Sequence, residues 1–148
     1  VAPLTRSIAP ATRAWTAAFL LLIIPVGLAS KFYGGPAANW VNNALSGAFY
    51  EIFWCLFVFL WAPRTRPVLI ALTVLGITCA LEFLQLWHPP LLEAFRRHFW
   101  GRSLIGSDFA WSDFPYYFLG CGLGWLWMRA LQRAGVNRAA RHERSHPT

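Results

Sequence analysis

Glu82 and Gln85 stand three residues apart in one apolar run, and Asp113 and Tyr117 stand four apart at the start of another. Both spacings place their pair on a single face of a helix. A carboxylate beside an amide, and a second carboxylate beside a phenol, can do acid/base work or hold a cationic or sugar headgroup. Asp108 and Arg102, with Ser107, fall in the segment between the pairs and are placed to cap such a cluster. Five of the six acidic residues, Glu51, Glu82, Glu93, Asp108 and Asp113, lie inside or beside apolar runs. An ionisable group at bilayer depth costs roughly 2.5–3.5 kcal/mol on insertion scales, so it is expected to face a protein interior, a wet cavity or a partner. The same groups also suit a buried network, with Glu82 and Asp113 satisfied by Arg96, Arg97 or Arg102, by Gln85 and by backbone amides. That structural role is the preferred reading. The sequence holds no H-E-x-x-H, no phosphate-binding glycine loop and no Ser-His pair at a nucleophile elbow, so no catalytic residue is assigned.

The elements that must position these residues are membrane helices. The 148 residues are 57% hydrophobic, 17% aromatic and only 13% charged, a composition that excludes an ordinary soluble domain. Four runs, 14–29, 44–62, 67–87 and 114–131, approach the length of about 20 residues that a helix needs to cross a hydrocarbon core. The expected fold is therefore all-α: an integral membrane bundle of four transmembrane helices in a single domain over 1–131, with a basic tail over 132–148. The first run follows Arg6 and Arg13 and has a signal-peptide-like Gly27-Leu28-Ala29 at its end. We expect a retained span, because Arg13 can snorkel to the interface. Pro25 is expected to kink it.

Lysines and arginines set the orientation. Arg6, Arg13, Arg64, Arg66, Arg129, Arg133, Arg138, Arg141 and Arg144 fall on one side of a four-span arrangement, and Lys31, Arg96, Arg97 and Arg102 on the other. The positive-inside rule then places both termini in the cytoplasm of a bacterium, with the chain in its inner membrane. The net charge of +7 reflects this topology and contact with anionic lipid. No nucleic-acid partner is expected, since the basic residues are scattered over both sides.

Between the spans, Gly34-Gly35-Pro36 predicts a turn, and the rest of segment 30–43 an interfacial ledge leading into the second span. Glu51 then lies near the start of that span, below the interface or in a wet vestibule. Pro89-Pro90 ends the third helix. Residues 91–100 mix Leu91, Leu92, Phe95 and Phe99 with Arg96, Arg97 and His98, the pattern of a short periplasmic amphipathic helix. Segment 101–112 reads as a re-entrant loop packed over the ends of spans three and four. Residues 138–148 have no apolar periodicity and are expected to be disordered.

Gly120-x-x-x-Gly124 is a close-packing device for helices, and Gly76 with Ala80 offers a matching stripe on the third span. If the stripes meet, Glu82, Gln85, Asp113 and Tyr117 are drawn together. Cys55, Cys79 and Cys121 fall one to a span without metal-ligand spacing and read as small buried apolar residues. His88 and His98 read as interfacial surface residues rather than ligands of a metal, haem or chlorophyll. No metal or cofactor is expected, although bound lipid or pigment suits the Trp-rich ends, which also form an interfacial belt.

Glu82-x-x-Gln85, then Gly106-Ser107-x-Phe109-x-Trp111-x-Asp113, then Tyr117-x-x-Gly120-x-x-x-Gly124 resemble a family of small uncharacterised bacterial membrane proteins, a domain of unknown function that is distantly VanZ-like. The resemblance spans about 30–131. Glu82, Gln85, Asp113 and Gly120 match the order of groups in VanZ-like proteins. The intervening link is longer here, and Arg102 is the nearest candidate for the arginine those proteins carry before the aspartate. VanZ-like proteins are associated with glycopeptide resistance, so the resemblance implies topology more than a reaction.

Two functions follow as expectations. The first is a non-catalytic accessory subunit packed against a larger membrane complex, photosynthetic or respiratory, with membrane lipids and other integral membrane subunits as partners. The alternative is a VanZ-like protein binding or processing an envelope lipid or glycan through the carboxylate cluster.

Overall fold

The computed structural model describes residues 8–87, 90, 94, 97, 98 and 109–145. Every element among them is helical. Four long helices carry the fold: α1 over Ile8–Lys31, α2 over Ala38–Trp61, α3 over Pro67–Leu84 and α4 over Phe114–Ser145. Pro67 occupies the first turn of α3, where its missing N–H costs nothing, and Arg66 before it is extended, as a residue preceding proline prefers.

Side-chain bonds show that the helices run up and down. Arg13 Nη2 near the start of α1 donates to the carbonyl of Trp61 at the end of α2, at 3.4 Å. Gln132 Nε2 on α4 donates to Pro63 O at 2.9 Å and Thr65 O at 3.2 Å in the α2–α3 turn. At the opposite end Trp40 Nε1, opening α2, donates to Tyr116 Oη, opening α4, at 2.9 Å. Arg13, Arg64, Arg66, Arg129 and Arg133, all exposed, consequently gather at one end of the bundle. Glu51, Glu82 and Asp113 lie toward the other.

Helices α2 and α4 form the most extensive contact, and α1 and α3 flank that pair. The core between them is built from Leu20 and Ile23, Ile52, Cys55, Leu56 and Phe59, Ile70, Ala71 and Val74, and Cys121, Met128 and Leu131. Phe19 of α1 meets Trp127 of α4 edge to face, with ring centroids 5.0 Å apart.

The glycine stripes do not meet as expected. A Cβ at Gly120 would lie 2.6 Å from Ala48 O and 2.7 Å from Glu51 Cβ, and one at Gly124 would lie 2.8 Å from Cys55 Cβ. The stripe of α4 therefore seats α2, through Ala48 and Cys55, and Gly76 on α3 has nothing within 4 Å. Small size on both partners decides the pairing, and α2 carries it in the spacing of Ala48 and Cys55.

Two expected boundaries also shift. The expected ledge before the second span is helix from Ala38, with a π-helical turn over Val41–Leu45 that absorbs an extra residue. Ser46 Oγ donates to the carbonyls of Asn42 and Asn43 there, which satisfies backbone that the wider turn leaves open. Ala37 turns the chain into this helix in the left-handed region, at φ 59°. At the C-terminus, the tail expected to be disordered continues α4 to Ser145. Its alanines, arginines and glutamate are good helix formers extending a helix already nucleated within the bundle. The final 13 residues of α4 past Gln132 advance about 20 Å beyond the level of the α2–α3 turn.

Helices α1, α2 and α3 are long and apolar enough to cross a membrane. Along α4, Tyr116, Tyr117, Gly120, Gly122, Gly124 and Arg129 dilute the apolar character, and it does not join them by the same measure. Most of the expected amphipathic helix at 91–100 and most of the loop at 101–112 lie outside the described residues.

Candidate functional site

The last full turn of α3 brings Glu82 inward, and the chain then turns through Gln85. Glu82 is only 2% exposed. Its Oε2 accepts hydrogen bonds from Tyr117 Oη at 2.8 Å and from Gln85 Nε2 at 2.9 Å, while Oε1 accepts the backbone N–H of Ala110 at 2.9 Å. The backbone contributes because Ala110 is extended, aiming its N–H at α3 while its carbonyl receives Asp113 N–H at 3.1 Å to close the following 3-10 turn, Trp111–Asp113. A phenol, an amide and a peptide N–H, all neutral donors, thus converge on one carboxylate. A hydrogen bond of this kind contributes about 0.5–1.5 kcal/mol net, and a buried acceptor left without donors would cost about 1–3 kcal/mol.

Rings cover this knot. Phe83 lies 5.9 Å from Phe109, 6.2 Å from Trp111 and 5.7 Å from Phe114, centroid to centroid, and Phe114 lies 6.0 Å from Tyr117. The aromatic roof joins the end of α3 to the start of α4 in parallel with the polar knot, so the segment entering α4 is held by both kinds of contact.

Of the residues singled out in the sequence, Glu82, Gln85 and Tyr117 are brought together. Asp113 is half-buried on the adjacent turn and accepts the hydroxyl of Ser112 at 3.2 Å, without a direct bond to Glu82. Arg102 and Asp108, with Ser107, Arg96, Glu93 and His88, lie outside the described residues. His98 is exposed, with Nδ1 3.3 Å from the carbonyl of Ala94. The described residues contain no group of three or more His, Cys, Asp or Glu able to hold a metal ion.

Of the two placements expected for Glu51, the structure has the buried one. It is fully buried at 0% exposure, not open to a wet vestibule. The thiol of Cys121 donates to its Oε2 at 3.0 Å, and the side chain of Thr78 on α3 also hydrogen-bonds to the carboxyl. Thr78 of α3 is buried on the same side of the bundle, one turn from Glu82. The glycine contact contributes to this burial, since Gly120 lets α4 close onto α2 at Glu51 Cβ. Cys121 is therefore a carboxyl partner as well as a core residue, a role its isolated position in an apolar run did not signal. The available clue was the small residue at Ala48, three before Glu51, with Cys55 four after Glu51.

The chain belongs to the family described as Protein of unknown function (DUF2809), whose family model matches residues 36–121. The matched stretch takes in α2, α3 and the opening of α4, and with them Glu51, Glu82, Gln85, Asp113, Tyr117 and Cys121. No solved structure matches the chain.

Proposed function

We propose that this member of the DUF2809 family is a non-catalytic integral membrane protein, an accessory subunit whose outer faces pack against a larger membrane assembly. Four spans, with both termini on the arginine-rich cytoplasmic side of a bacterial inner membrane, complete the reading. The observation that carries it is how little the helices bury against one another. Only 22% of the candidate span in α1 is buried, 39% in α2 and 28% in α3. Large apolar side chains such as Leu21, Leu72, Ile77 and Phe118 stand more than half exposed, which is tolerable only against lipid or other subunits. The carboxylates do not compete with this role, since all three bonds to Glu82 bind the chain to itself.

Extraction of native membranes in mild detergent, with the chain tagged at its N-terminus, followed by native electrophoresis and mass spectrometry of what migrates with it, tests the proposal. Stoichiometric co-migration with a large complex is expected. Migration as a monomer or small homo-oligomer would remove the subunit role.

One observation favours a second reading, VanZ-like binding or processing of an envelope lipid or glycan. Glu82, Gln85 and Tyr117 converge beside the half-buried Asp113 under an aromatic roof whose Trp111 is 71% exposed. Under that reading Asp113→Asn abolishes ligand binding or the associated phenotype while leaving membrane levels intact. An Asp113→Asn protein indistinguishable from the parent would set it aside.

A further inference from the structure

A groove of about 250 Å³ runs between α1 and α4, outside the stretch matched by the family model. Trp15, Phe19 and Trp127 wall it, and Ala130, Ala134 and Gly135 form much of its floor. We propose that it seats one acyl chain of an anionic phospholipid drawn from the leaflet at the arginine-rich end of the bundle. The inference rests on the membrane-spanning reading above.

Shape selects a chain over a larger occupant. An α-helix with side chains is about 10–12 Å across and cannot enter a space of this size. Compact small-molecule pockets run from about 300 Å³ upward and place polar groups to orient their ligand, whereas apolar and small side chains dominate this lining. Small floor residues and flat aromatic walls leave a trough for a flexible hydrocarbon.

Charge selects the leaflet and the headgroup. The floor brackets Gln132, whose bonds to Pro63 and Thr65 put it level with the α2–α3 turn. The groove therefore lies at the end that carries Arg13, Arg64, Arg66, Arg129 and Arg133, while Glu51, Glu82 and Asp113 are toward the other. Basic residues at a membrane surface attract anionic lipid, and an acyl chain inserted here leaves its headgroup at that level.

The test is native mass spectrometry of the full chain in detergent, titrated with phosphatidylglycerol or with phosphatidylcholine of matched acyl chains. Retention of a single phosphatidylglycerol in preference to phosphatidylcholine is expected. Ala134→Phe fills the trough, and displacing two or more buried methylenes predicts roughly tenfold weaker retention. If that variant misfolds, brominated phosphatidylglycerol supplies a second measurement. Its quenching of tryptophan fluorescence should fall when Trp127 is replaced by Phe, more than when the distant Trp87 is replaced. Equal retention of the two lipids, unchanged retention by a folded Ala134→Phe, or equal losses of quenching would overturn the inference, as would a polypeptide held in place of lipid. Release of the chain from membranes by alkaline carbonate would instead defeat the membrane reading on which it rests.

Discussion

At Glu82 one oxygen holds two donors and the other a third, so the residue works as a clamp between α3 and the entry to α4. Glu82→Ala strands Tyr117 Oη and the Ala110 N–H together, and a loss of about 3–5 kcal/mol is expected in denaturant unfolding of the purified protein. Tyr117→Phe removes a single donor and should cost about 1–2 kcal/mol in the same assay. Asp113→Asn, whose partner among the described hydrogen bonds is an exposed hydroxyl, should stay within about 0.5 kcal/mol of the parent. Equal destabilisation by Asp113→Asn and Glu82→Ala would contradict this ranking. Glu51 differs in kind, because its partners are the Cys121 thiol and the side chain of Thr78, with no backbone N–H to it among the described hydrogen bonds. Cys121→Ala leaves Glu51 Oε2 buried without the thiol donor, and about 1–3 kcal/mol of destabilisation should follow. Cys121→Ser, which keeps a hydroxyl donor, should recover part of it.

Among the elements, α2 and α4 are defined by contact between small residues. A methyl at Gly120 would sit 2.6 Å from the carbonyl oxygen of Ala48, which is backbone and cannot swing aside. Gly120→Ala must push the helices apart, and about 1–3 kcal/mol of destabilisation is expected from such overpacking. Gly76→Ala meets nothing within 4 Å and should be neutral or stabilising by up to about 1 kcal/mol, since alanine is the better helix former. Paired thermal unfolding of the two variants checks the contrast, and the opposite order would place the stripe of α4 against α3. Periodicity exposed the glycines but not their partner. One-dimensional spacing states which residues share a face of one helix and leaves open which of three other helices that face meets.

The molecule as a whole is polarised, with arginines at one end and an acid-bearing, aromatic-roofed end at the other. Four spans in this order require both termini to emerge beside the α2–α3 turn, where Arg13 and Gln132 are bonded. Impermeant thiol reagents applied to intact cells should therefore spare a cysteine added at either terminus and label one placed at Tyr33 in the α1–α2 turn, on a background with Cys55, Cys79 and Cys121 replaced. Labelling at only one terminus would mean that α4 does not cross. That helix is the least apolar of the four, because Gly120, Gly124, Tyr116 and Tyr117 serve contacts within the bundle rather than lipid.

The sequence by itself determined the membrane class, the all-helical architecture, and the shared face of Glu82 and Gln85. Each depends on composition or on spacing within one helix, which local physics converts directly into structure. Only the tertiary structure decided that Ala110 completes the shell of Glu82, that Glu51 is dry and bonded to Cys121, and that Gly120 and Gly124 seat α2. Each of these joins groups far apart in the chain, and distance along the chain carries no record of which surfaces close on one another. The helical continuation of α4 to Ser145 lies between the two cases. Its residues favour a helix, but nucleation came from the packed segment before them, and a short polar stretch read alone cannot supply it.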